Sequence, residues 1–141
     1  MTHIDFHSNV ADKLTYACRL VRKARAADCK LVLLGSDHVQ LAALNEALWN
    51  FSELDFLPHV AAEDPLAAQT PVILTDKDTA ELPHYQILIN LSGRMPVHFA
   101  RFERMLEIIS ADEADKTAGR ERYRFYQQRG YPLIHYIAEK T

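Results

Sequence analysis

Two groups of residues in this 141-residue chain have the types and spacing for chemistry. Near its start, His3-x-Asp5-x-His7 puts three metal-ligand types at alternate positions. On a strand, the period of two projects all three from one face. Two imidazoles and a carboxylate suit zinc or manganese, with a further ligand drawn from His38, Asp37 or Asp76. Such a site would serve a small metal-dependent hydrolase. The competing reading is a polar strand end. Near the other terminus, Lys116, Arg120, Tyr123 and Arg124 lie in a helical stretch. With Lys116 at the origin of a helical wheel, Arg120 falls at about 40°, Tyr123 at about 340° and Arg124 at about 80°. Three cations and one ring share that face. Arginine forks hold carboxylates through paired hydrogen bonds, and a tyrosine beside them adds an apolar wall. The face suits a short acidic peptide ending in an aromatic residue and a free carboxylate. The alternative is a basic solvent face paired with Asp112, Glu113, Asp115 and Glu121.

Other chemistries lack their parts. After the first strand the sequence reads HSNVADK, without glycine, so the phosphate-binding turn of a dinucleotide fold is missing. No GxxxxGK[ST] and no G-x-S-x-G occurs. Cys18 sits on an apolar helix stripe, and Cys29 has no partner motif. No cofactor is expected. The net charge of −3 argues against bulk attraction to phosphates, although it leaves room for a local basic patch. No direct nucleic-acid binding is expected. No apolar run approaches the roughly 18 residues of a membrane span. The opening MTHIDFHSN has neither a basic nor an apolar leader region, so a cytoplasmic location is expected.

The elements that must position these groups alternate. Thr2 to His7 reads as a strand, with Ile4 and Phe6 on one face. Ser8 or Asn9 is expected to cap a helix from about Val10 to Ala27, with an apolar stripe of Leu14, Ala17, Cys18, Val21 and Ala24. Arg19, Arg22, Lys23 and Arg25 fall mostly on its solvated face. Leu31–Gly35, Val72–Thr75 and Ile87–Asn90 read as buried strands. Asp37 opens a helix from His38 to Leu48. Pro96 is expected to open another, with Phe99, Phe102, Met105, Leu106 and Ile109 on its apolar side. Asp112 to Gln128 is the last helix, ended by Gly130, and Leu133–Ile137 adds an edge strand. The pattern predicts one domain over residues 1–141. Its fold is a three-layer α/β/α arrangement around a largely parallel, Rossmann-like sheet that lacks a nucleotide-binding loop.

The stretch from Leu44 to Pro65 breaks this regularity. Trp49, Phe51 and Phe56 crowd into what reads as a loop, where polar residues are usual. Such rings either plug the core or anchor a partner.

The wording LNEALW, DFLPHV, EDPLAAQTPVILT and GRERYRFYQQRGYPL resembles the chi subunit family of bacterial DNA polymerase III, from Ile4 to about Tyr136. The resemblance implies a non-catalytic adaptor of the clamp-loader assembly. One surface would hold the psi subunit, and another the acidic, phenylalanine-ended C-terminal tail of single-stranded DNA-binding protein. The family's tail-binding positions match Lys116, Arg120, Tyr123 and Arg124, with an apolar wall from Ile109 and from Leu133 or Ile134. Its psi-facing positions match Trp49, Phe56, Pro58 and His59. The family also implies a repair helicase as a second occupant of that surface. Trp49 and Phe56 are therefore expected to be at least partly exposed. His3 and His7 match no family motif. Gly119, before Arg120, either loosens its helix or lets a peptide backbone come close.

Overall fold

The computed structural model describes residues 1–51, 57–78 and 81–138. Its strands are β1 (His3–Val10), β2 (Leu31–Leu34), β3 (His59–Ala61), β4 (Val72–Thr75), β5 (Ile87–Asn90), β6 (Arg104–Ser110) and β7 (Leu133–Ile137). Its helices are α1 (Lys13–Ala26), α2 (His38–Asn50) and α3 (Glu113–Gln128). The strands form one sheet in the order β3-β4-β2-β5-β6-β1-β7, and every pair is parallel. Parallel neighbours require crossovers, which place helices on both faces. The expected three-layer arrangement is present. No described helix is long and apolar enough to cross a membrane.

Alternation along the strands splits the core. Leu31 and Leu33 face one way and join Val21, Leu44, Leu48 and Ile108 beneath α1 and α2. Val32 and Leu34 face the other way and join Ile4, Phe6, Met105, Ile109 and Tyr126 beneath α3. The final edge strand and the limits of α3 match the sequence pattern. Arg129 follows α3 as its C-cap, and Gly130 then turns the chain at φ +80°.

Three elements differ from expectation. The helix predicted after Pro96 is a single 3-10 turn, Phe99–Arg101, followed by strand β6. The spacing of Phe102, Met105, Leu106 and Ile109 fits a helix. However, Met105 and Ile109 serve one face of a strand while Leu106 and Ile108 serve the other. Glu107 hid this run, because it reads as a polar interruption and is in fact fully buried. The second difference is at the start. β1 continues to Val10 through an irregularity between His7 and Val10, with Asn9 at φ 59°. Asp12, not Ser8 or Asn9, caps α1 by accepting from the Leu14 and Thr15 N–H groups. Third, the stretch after Trp49 contains an edge strand, β3, that its composition did not announce.

Candidate functional site

The chemistry of α3 depends on which of its cations face inward. Asp112 starts the helix, its carboxylate accepting from the Asp115 N–H. Gly119, Arg122 and Tyr126 are buried, at helical spacing on the side facing the sheet. Arg122 Nε donates to Glu107 Oε2 at 3.0 Å, and its Nη1 to the Gly93 carbonyl at 2.8 Å. The Tyr126 hydroxyl donates to the same Glu107 oxygen at 2.8 Å, and Asn90 Nδ2 to the other at 2.7 Å. Burial pushes the Glu107 pKa upward, against these three donors. The cluster bolts α3 to β5 and β6. It also separates one run of arginines into two roles, with Arg122 inside and Arg120 and Arg124 outside. Arg122 lies about 240° from Lys116 on the wheel, which marks it as inward-facing.

Gly119 sets how closely α3 approaches the sheet. A Cβ there would sit 2.7 Å from Ile109 Cδ1. The missing side chain thus allows close packing on β6. Beside this contact is a cavity of about 330 Å³, which Gly119 also lines. Ile109 and Phe6 give it an apolar floor, and Tyr123 meets Phe6 edge-on at 5.0 Å. Lys116 and Arg120 stand along its α3 side. Ser8, Asn9 and His135 close the other side, with Ser8 Oγ and His135 Nε2 hydrogen-bonded at 2.7 Å.

Four of the anticipated residues therefore meet, namely Ile109, Lys116, Arg120 and Tyr123. Arg124 is exposed outside the cavity lining. Leu133 does not line it either and packs into the core beneath α3. Ile134 is exposed and, by alternation along β7, lies on the opposite sheet face. His135 takes the place expected of these two. It and the β1 residues Ser8 and Asn9 were invisible to the sequence pattern, because only sheet pairing brings β1 and β7 together.

Charge at the cavity is positive. Lys116 pairs with Glu113 at 3.7 Å, whereas Arg120 and Arg124 form no ion pair among the described residues. Asp112 and Asp115 are occupied elsewhere. Asp115 accepts from Lys13 at 2.8 Å and from the Ser110 N–H at 2.7 Å. Burial raises its pKa, but these donors outweigh that effect and hold it below the usual carboxylate value. A cavity with an apolar floor and a cationic rim can hold a ligand that ends in a ring and a carboxylate.

At the opposite sheet edge, Trp49 near the end of α2 is 54% exposed. Its ring rests on His59 at 4.9 Å. His59 is buried, with Nδ1 bonded to the Leu57 carbonyl at 2.6 Å, and Pro58 is half-buried. The expected exposure of Trp49 is present, whereas Phe56 lies outside the described residues. His59 therefore supports Trp49 from beneath and is not an accessible contact.

The first-strand triad does not assemble. Asp5 pairs with Arg104 at 2.8 Å, and His7 bonds the Tyr16 hydroxyl and stacks on Tyr136. His3 is exposed. Among the described residues no three His, Cys, Asp or Glu side chains gather to hold a metal. The metal-hydrolase alternative therefore finds no assembled site among the described residues, with one oxygen of Asp5 held by Arg104 and His7 held by Tyr16. Cys18 is buried, and burial pushes its thiol up to about 11, far from a nucleophile's range.

A family model described as "DNA polymerase III chi subunit, HolC" matches residues 1–134. The DNA polymerase III subunit chi of Pseudomonas aeruginosa is 34% identical over 139 residues, covering 94% of each chain. The same subunit of Haemophilus influenzae is 26% identical, over 83% of this chain and 81% of that protein. That of Escherichia coli is 23% identical, over 82% and 79%. The match runs from β1 into β7 and includes the α3 residues of the cavity, so this chain belongs to the DNA polymerase III chi subunit family.

Proposed function

We propose that this protein is a non-catalytic adaptor that captures the acidic C-terminal tail of single-stranded DNA-binding protein in the α3 cavity. The observation that carries the reading is the convergence of Lys116, Arg120, Tyr123 and Ile109 on one cavity. Arg120 takes the terminal carboxylate through charge-assisted hydrogen bonds, and the last ring of the tail enters the floor formed by Phe6 and Ile109. Acidic residues upstream lie along Lys116 and Arg124. Rim charges of this kind raise the association rate and make it salt-sensitive. The affinity is near micromolar, about −8 kcal/mol. The Trp49–Pro58 edge holds the psi subunit of the clamp loader, and a repair helicase competes for the same edge. Family membership supports the setting, an accessory role in replication by DNA polymerase III.

The test is calorimetric titration with the last ten or so residues of the cognate single-stranded DNA-binding protein, beside a peptide lacking the final residue. Binding that requires that residue supports tail capture and points to the carboxylate as the key group. No binding of either peptide to folded protein would remove the α3 cavity from the proposal.

A further inference from the structure

The sheet face beneath α1 is not covered out to its edge. Between α1 and the outer strand β7 runs an open groove of about 960 Å³, floored by β1 and β6. It lies on the opposite face from the α3 cavity, since alternation along β1 sends Phe6 to one and Asp5 and His7 to the other. Asp5 is only 7% exposed. Its Oδ2 accepts from Arg104 at 2.8 Å, while its Oδ1 has no hydrogen-bond partner among the described residues. A buried oxygen of this kind is costly until a donor arrives. On the β7 side, Tyr136 stacks on His7 with ring centroids 4.9 Å apart and is 46% exposed. On the other rim, Arg19 and Lys23 are exposed on successive turns of α1.

We propose that this groove binds a short single-stranded DNA segment, with Asp5 accepting from the exocyclic amino group of a base. The rim cations suit a phosphate backbone, and the exposed Tyr136 ring suits a second base in the same segment. The floor offers an acceptor, so a simple anion meets the Asp5 charge there, whereas an unpaired base can turn its whole amino edge toward it. Cytosine, adenine and guanine carry the required amino group, and thymine does not. The net charge of −3 weakens non-specific attachment, which leaves binding dependent on this local rim. The inference is independent of tail capture, which uses the other face.

The experiment is fluorescence anisotropy of the whole protein with labelled oligo(dC) and oligo(dT) of about 12 nucleotides. Oligo(dC) is expected to bind roughly tenfold more tightly, the effect of one hydrogen bond to a charged group. Asp5→Ala should abolish that preference. Lys23→Glu should weaken both oligomers and reduce the salt slope by about 0.7, the value for one phosphate contact on a single strand. Arg120→Ala should change neither. Equal affinity for the two oligomers would overturn the assignment, as would loss on Arg120→Ala in place of Lys23→Glu. No binding of oligo(dC) at low salt would also overturn it and leave the groove to a protein partner. If Asp5→Ala fails to fold, the exposed Lys23→Glu change and the base preference of the parent protein carry the test.

Discussion

The two edges of the sheet present opposite kinds of surface. At the β7 edge, α3 is bolted down by Arg122 and Glu107, and its close approach leaves a cavity of about 330 Å³ with cations on its rim. At the β3 edge, an exposed indole lies on a buried imidazole beside a three-residue strand. The first edge can recognise a small charged end group, because rigid elements hold donors around a concavity. The second offers apolar area, the kind of anchor that dominates protein interfaces. The contrast shows that cations on one helix do not share one task. Arg122 has exchanged solvent for Glu107, while Arg120 keeps its charge at the rim.

The most direct way to break this comparison is Arg122→Ala. It leaves Glu107 buried without its cation and should cost roughly 3–5 kcal/mol of stability, read from the denaturant midpoint. A variant that kept full stability and lost only peptide binding would place Arg122 in the recognition site. Arg120→Ala is its counterpart. Tail affinity should fall by roughly 1.5–3 kcal/mol in calorimetry, while stability stays within about 0.5 kcal/mol. Equal loss of stability in both variants would erase the division between the two arginines.

Lys13→Met probes how α3 is seated at its first turn, and should cost about 1.5 kcal/mol at neutral pH. The Asp115 pKa is lowered in the folded state. Its contribution is therefore present above the ordinary carboxylate range and lost as the pH falls through the lowered value. The stability difference between parent and Lys13→Met should close as the pH falls below about 4. A difference independent of pH would mean that the lysine stem, and not its charge, matters.

Gly119→Ala gives a smaller effect, about 1 kcal/mol of destabilisation, because the crowding against Ile109 exceeds the gain in helix propensity. Stabilisation would show that Ile109 moves aside easily and that the cavity floor is soft. Trp49→Ala should change stability least, within about 0.5 kcal/mol for an exposed side chain, and should leave tail affinity unaltered. Loss of tail binding in that variant would couple the two edges.

Much of the cavity-lining face of α3 is legible in the sequence alone. Lys116, Arg120 and Tyr123 share an arc because helical geometry depends only on sequence spacing. The buried strands β2, β4 and β5 were equally plain, as unbroken apolar runs between turn residues. β6 was not, because Glu107 is polar by type and becomes a core residue only through Arg122, Tyr126 and Asn90, each distant in sequence. The His3, Asp5 and His7 alternation was real. Its reading as a ligand set failed because Arg104 and Tyr16 reached two of the side chains first.

The sequence by itself determined the alternating α/β class, the amphipathic face of α3 and the family. These follow from local periodicity, capping and word order, which need no partner across the fold. Only the tertiary structure decided which arginine is inside, that Gly119 is a packing residue, and that His135 completes the cavity. It alone left Asp5 Oδ1 in a groove without a donor among the described residues. Each of these depends on distant residues brought within hydrogen-bond or van der Waals range. Linear spacing does not encode such distances, because parallel pairing joins β1 to β6 and β7 across more than a hundred residues of chain.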